Sequence, residues 1–217
     1  MIELKYKSWN DISINTFNKL KEIKINSNDS LELLDSNIAL LSILCDVDED
    51  TIADLTTSEF STLLSQTTFL KDMPKVKIQE YYKINGKEYQ VFLSLKNMTV
   101  SQYIDFQTFY KDQDKYYKEL LACFIIPKGK KYGEDYDVQE VIDDIGNHLS
   151  IVDANSILFF FVLLFQSLTK ATLTYSIRQM KKARKKMNKE EQEKIDMAIA
   201  EMKRAMTLVG NGYGYTL

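Results

Sequence analysis

One histidine, two prolines, two cysteines and seven glycines in 217 residues exclude a good deal. With His148 alone, no site needing two imidazoles is available, and no serine or cysteine nucleophile stands beside it in sequence. So few Pro and Gly favour regular elements over loops. Cys45 and Cys123 each sit among apolar residues, as small buried hydrophobes of a reducing compartment do, rather than as a disulfide. The start, Met1-Ile2-Glu3-Leu4-Lys5, has no signal-peptide apolar region. Phosphate-loop spacing is missing too: Lys128-Gly129-Lys130-Lys131 lacks the Gly-x4-Gly-Lys-[Ser/Thr] order, and reads as an exposed basic loop. A net charge of −3 argues against bulk attraction to nucleic acid.

What is present is core-forming material and uneven charge. The 45% hydrophobic and 12% aromatic content suffices for one domain, or for a core with an appendage. Nine acidic residues and no Lys or Arg occupy 29–59, whereas seven basic residues and no acid occupy 178–189. Such asymmetry orients partners, more strongly at low salt.

Capping signals divide the first 70 residues into helices. Ser8 is expected to open the first, with Trp9, Ile12, Phe17, Leu20 and Ile23 on its apolar face. Asp29 with Glu32, and Thr56 with Glu59, have capping-box spacing. Between them, Asp46-Val47-Asp48-Glu49-Asp50 places carboxylates where a calcium loop begins. Thr51 stands where that loop needs Gly, and Thr57 where it needs Glu. The stretch reads as a solvated acidic turn, and no cofactor or metal is implied.

Asn85-Gly86, flanked by 76–84 and 87–95, predicts a hairpin closed by a type I′ turn. Two strands alone are marginal in water, so the hairpin needs helices or a neighbour's strand to cover it. Thr99 with Gln102 caps a helix carrying Tyr103 and Phe106. Residues 116–126 predict a further helix stopped by Pro127. Asp137 with Glu140 opens a short helix carrying Val141, Ile142 and Ile145, on which Asp143, Asp144 and His148 read as solvated polar groups.

Asp153 is expected to cap a long helix running to about Met187. Its run Ile157-Leu158-Phe159-Phe160-Phe161-Val162-Leu163-Leu164-Phe165 is shorter than the roughly 20 residues of a membrane span. Gln166 and Lys170 interrupt it, so it reads as a buried core helix. Arg178, Lys181, Lys182, Arg184, Lys185 and Lys186 follow as the strongest basic cluster. A solvated helix end, contact with an acidic protein and contact with phosphate are all open readings of it. Asn188 with Glu191 restarts a helix whose Ile195, Ile199, Met202 and Met206 form a narrow seam. Met197, Met202 and Met206 would also suit adaptable binding.

Three segments in succession carry a resemblance: Ile84-Asn85-Gly86-Lys87, Met98-Thr99-Val100-Ser101-Gln102-Tyr103-Ile104-Asp105, and Leu120-Leu121-Ala122-Cys123-Phe124-Ile125-Ile126-Pro127-Lys128-Gly129-Lys130-Lys131-Tyr132. Over residues 76–165 this order resembles small structural or assembly proteins of tailed bacteriophages, particularly crAss-like phages. The resemblance implies a non-enzymatic virion protein, a ring subunit of the neck or tail barrel, assembled in the bacterial cytoplasm. A tail assembly chaperone is the alternative it implies. Partners would be further copies of the chain and portal, neck or tail proteins, with no membrane and with DNA contact not favoured. No functional residue transfers from it.

The expected fold is α+β and mainly helical: a hairpin over 76–95 packed with helices, then a long C-terminal helix and a second one. Residues 1–175 are expected to form the core and 176–217 an extension. Interaction is expected at Arg178, Lys181, Lys182, Arg184, Lys185 and Lys186, and at Asp46, Asp48, Glu49 and Asp50, the acidic and basic regions meeting across subunits.

Overall fold

The computed structural model describes residues 2–23, 29–94, 98–185 and 187–210, the last six by backbone alone. The chain forms two compact units, Met1–Ile157 and Leu158–Leu217. Among the described residues the helices are α1 (Ile14–Glu22), α2 (Ser30–Cys45), α3 (Glu49–Ala53), α4 (Thr57–Ser65), α5 (Val100–Tyr110), α6 (Tyr117–Ala122), α7 (Val138–His148), α8 (Ile151–Arg184) and α9 (Lys189–Gly210). A small antiparallel sheet of β1 (Tyr81–Ile84), β2 (Lys87–Val91) and β3 (Ile125–Pro127) completes an α+β, mainly helical fold.

Local chemistry sets most helix starts. Thr56 and Thr99 form reciprocal capping boxes with Glu59 and Gln102. Asp29 and Asp137 accept backbone N–H groups at the starts of α2 and α7. Asn188 and Glu191 bond each other's backbone N–H at 3.0 and 3.1 Å, opening α9. Each such cap contributes about 1 kcal/mol by satisfying an N–H that has no helical acceptor.

Two starts differ from expectation. Ser8 turns back on Asp11 instead, its hydroxyl donating to that carboxylate at 2.9 Å. The first helix starts at Ile14, where the Ser13 hydroxyl accepts from Thr16 N–H. Trp9 and Ile12 therefore precede the helix. The long helix is capped by Ser150 rather than Asp153: the Asp153 N–H donates to Ser150 Oγ at 3.1 Å, and Ser150 Oγ–H donates back to the Asp153 carboxylate. In Ser150-Ile151-Val152-Asp153 the hydroxyl stands three residues before the acid, so it reaches the Asp153 N–H while the Asp153 carboxylate takes the hydroxyl proton's bond.

The hairpin turns at Asn85 and Gly86, whose φ values of 50° and 76° are the two left-handed positions of a type I′ turn. Its strands are shorter than the predicted 76–84 and 87–95, and Leu95 lies outside the described residues. The sheet has a third strand that the sequence did not predict. Residues 116–126 do not form one helix: α6 stops at Ala122, and Ile125–Pro127 pairs with β2 in the register Val91↔Ile125 and Tyr89↔Pro127. Phe124, Ile125 and Ile126 are fully buried. β-Branched residues suit a covered strand, and Pro127 at its end has no N–H to leave unpaired. This strand covers the hairpin edge for which a neighbouring chain was one expected source.

The core of the first unit gathers Ile12, Leu41, Leu44, Ile52, Ile84, Tyr89, Phe106, Leu120, Leu121, Phe124 and Ile145. Burying each contributes about 1.5–3 kcal/mol. Gln102 ties α5 to it with both ends of one amide. Its Oε1 accepts from Thr99 N–H in the capping box, and its Nε2 donates to the Cys123 carbonyl. Where α7 passes α1 and α6, the packing at Gly146 is close: an added Cβ would meet Lys118 Cδ at 2.7 Å and the Asn15 amide at 3.1 Å, so those side chains would have to move.

In the second unit α8 and α9 form a tight helical hairpin. The Arg184 guanidinium donates two parallel bonds of 2.8 Å to the Asp196 carboxylate across the turn. Ile177 and Ile199 are buried, and Ile195 and Met202 half-buried, so the predicted seam faces inward. The Met206 side chain lies outside the described residues. The apolar run of α8 is only partly a core helix. Ile157, Leu158, Phe161 and Val162 are buried, whereas Phe159 is 58% and Leu163 46% exposed.

Candidate interaction surface

The basic block lies along the last turns of α8. Arg178, Lys181, Lys182 and Lys185 are exposed and Arg184 half-buried, while Lys186 lies outside the described residues. A groove of about 480 Å³ runs between the helices, lined by Lys181, Arg184, Lys185, Asp196, Ile199, Ala200 and Lys203. Helical spacing explains the set. Residues 181, 184 and 185 share one side of α8, and 196, 199, 200 and 203 share one side of α9. Arg178 and Lys182 are not part of the lining. Lys203 and Asp196 are members that sequence reasoning missed, although both continue the Ile199 spacing. Asp196 also spends the charge of Arg184, whose pKa the Asp196 hydrogen bonds raise.

The acidic candidates lie at the α2–α3 turn. Asp46 ends α2 in the left-handed region, with φ 58°, and takes a 2.5 Å ion pair from Lys5. That bond holds the Asp46 carboxyl below its ordinary range and the Lys5 ammonium above its own. Asp48 precedes α3, and Glu49 and Asp50 occupy its first turn, all three exposed. A depression of about 300 Å³ beside them is lined by Tyr6, Thr16, Lys19, Ser42, Ile43, Asp46, Val47 and Asp48. Among the described residues, no three carboxylate, thiol or imidazole groups come together to hold a metal ion.

Two of the groups with chemical potential, Asp144 and Cys123, are engaged within the fold. Asp143 is exposed, but Asp144 is not the solvated charge that the sequence suggested. It is 5% exposed and accepts from Asn85 Nδ2 at 2.8 Å, Lys87 Nζ at 2.7 Å and the Tyr89 hydroxyl at 2.5 Å. Burial pushes its carboxyl up, but the bonds from Lys87, Tyr89 and Asn85 outweigh that and hold it below the usual range. Tyr89 is pushed up, by burial first and then by its bond to Asp144. The result is a clamp of α7 on the hairpin. Cys123 lies 3.8 Å from the Tyr132 hydroxyl, which donates to Asp105 at 2.9 Å. Burial pushes this thiol up to about 12, which leaves almost no thiolate at neutral pH. His148 is exposed at the end of α7. Lys128 of the basic loop pairs with Glu88 at 2.8 Å and lies over the Tyr81 ring.

Apolar faces are left outward. On α5, Val100 is 77% and Ile104 56% exposed, with Tyr103 beside them, at the i, i+3, i+4 spacing of one helix side. On α8, Phe159 and Leu163 stand one turn apart, with Leu168 and Tyr175 also exposed further along. By length and composition alone α8 would pass for a membrane span, its best 18 residues having a mean hydropathy of 1.9. Compared with protein-family models, with curated proteins and with solved structures, the chain matches none.

Proposed function

We propose that this chain is a non-enzymatic assembly subunit, a homo-oligomeric ring component of a phage neck or tail. The observation that carries the reading is the outward apolar side of α5 together with the outward Phe159 and Leu163 of α8. Large apolar side chains clustered at helical spacing on a surface mark contact with another protein. The resemblance of residues 76–165 to phage structural proteins supports the same reading. So does the engagement of Asp144 and the burial of Cys123, both held as structural groups.

Met197, exposed on α9, favours a second reading, an assembly chaperone whose adaptable surface holds a partner and then releases it. Two measurements decide. Sedimentation velocity of the purified chain is expected to give a discrete oligomer, and mass spectrometry of purified particles is expected to find the chain. A monomer at high concentration that is absent from particles rejects the ring. Absence from particles with a stable complex on a tail protein selects the chaperone.

A further inference from the structure

We propose that the α8–α9 groove receives the acidic α2–α3 turn of a second copy of this chain, so that copies join head to tail. The proposal rests on the reading of the chain as a self-associating subunit and names the contact.

The groove has the chemistry for it. Lys181, Lys185 and Lys203 surround it, while Arg184 and Asp196 neutralise each other inside it. Ile199 and Ala200 supply an apolar floor. Lys181 and Lys185 are exposed and make no ion pair among the described residues.

The occupant has the opposite chemistry. Asp48, Glu49, Asp50 and Asp54 are exposed and make no ion pair among the described residues. Asp46 is taken by Lys5 and contributes nothing new. Asp50 and Asp54 stand four residues apart along and just beyond α3, as Lys181 and Lys185 do along α8. One helical turn separates each pair by about 6 Å, so two carboxylates meet two ammonium groups in register. Because every chain carries both halves, the contact is heterologous, and it closes as a ring or extends as a filament. Charge steers and registers this contact.

Reciprocal charge reversal tests it. One variant carries Lys181→Glu, Lys185→Glu and Lys203→Glu, and the other Asp48→Lys, Glu49→Lys, Asp50→Lys and Asp54→Lys. Arg184 stays, because it holds the hairpin. Each variant alone is expected to lose the oligomer by sedimentation, with at least a tenfold rise in dissociation constant. An equimolar mixture is expected to recover it, since each groove then faces a turn of opposite sign. A gentler pair, with Gln for the lysines and with Asn and Gln for the acids, is expected to weaken association at unchanged helicity if the reversed chains fold poorly. The contact is overturned if either reversed variant keeps the wild-type mass, or if the folded variants do not recover it on mixing. Loss of duplex DNA binding by the groove variant, at unchanged mass, would give the groove to nucleic acid and overturn it too. In those cases the wild type still associates and the subunit reading stands. A wild type that never associates removes that reading and this contact together.

Discussion

Replacing Asp144 by Ala should be among the most damaging single changes in the first unit. The side chain accepts three hydrogen bonds, one of them from the Tyr89 hydroxyl, whose residue is only 1% exposed. Alanine leaves that hydroxyl in the core with no acceptor, a cost of about 1–3 kcal/mol. It also removes hydrogen bonds to a charged group, worth about 1.5–3 kcal/mol each when well made. Lys87 reaches water and recovers much of its share, so a total of about 3 kcal/mol is expected. With a urea slope of about 2 kcal/mol/M, the midpoint falls by about 1.5 M. Tyr89→Phe removes only the donor, leaving Asn85 and Lys87 on the carboxylate, and should cost about 1 kcal/mol.

The double variant decides the mechanism. With both groups gone, no orphaned hydroxyl is left, so Asp144→Ala with Tyr89→Phe should be about 1 kcal/mol more stable than Asp144→Ala alone. Additive losses in urea denaturation would refute the reasoning. Acid gives a second handle. The Asp144 carboxyl is held low in the folded chain, so its stabilising effect is complete above the unfolded value of about 3.9. It is lost as pH falls through the lower folded value. Wild type should therefore lose more stability than the double variant as pH falls from 5 toward 2.

Cys123 should resist native-state alkylation at pH 8. With the thiol pushed up to about 12, its thiolate fraction is roughly a thousandfold below that of a free cysteine. Intact-mass analysis should show labelling only on unfolding, and labelling within minutes would contradict the burial. Gly86→Ala should cost about 1–2 kcal/mol through the backbone alone, since φ is +76° and an added methyl touches nothing. A urea midpoint equal to wild type would exclude the left-handed turn. Ile199→Ala opens the α8–α9 seam and should cost about 2 kcal/mol, read as faster amide exchange along α9 with β1 and β2 unchanged. Equal acceleration in the sheet would contradict that assignment.

What could be read in the sequence was short-range. A capping box needs two residues three apart, and a type I′ turn needs two adjacent ones, so Thr56, Thr99, Asn188 and Asn85-Gly86 announced themselves. Ser8 misled because its hydroxyl found Asp11 before any helix began. The Ser150 start was missed for a related reason: hydroxyl and acid both fit a cap, and only spacing assigns them their roles. β3 was hidden because its signal is non-local. Three residues after a helix become a strand only when β2 arrives beside them. Asp144 was hidden the same way, its partners lying 55–59 residues earlier in the chain. The basic block was plain as composition. That Lys181 and Lys185 line a groove while Lys182 does not follows from the hairpin closing on Asp196 and Ile199, which charge counting does not contain.

These two kinds of charge lead to different roles. Asp144 is buried with its acceptor sites filled by donors of its own chain, so it holds α7 on the sheet and leaves little for a partner. Lys181, Lys185, Asp48, Glu49 and Asp50 stand in water at low desolvation cost, and they gain only when another molecule brings the opposite sign. The Asp144 bonds hold α7 on the sheet whether or not a partner is present, whereas the exposed clusters are the groups through which the proposed association selects its partner. Raising salt should separate them. From 0.1 to 1 M the screening length falls from about 10 to about 3 Å, so association through the exposed clusters should weaken while the urea midpoint of the Asp144 clamp hardly moves. Parallel salt dependence of the two would mean that the clamp is open to solvent, against its burial, or that association owes nothing to charge.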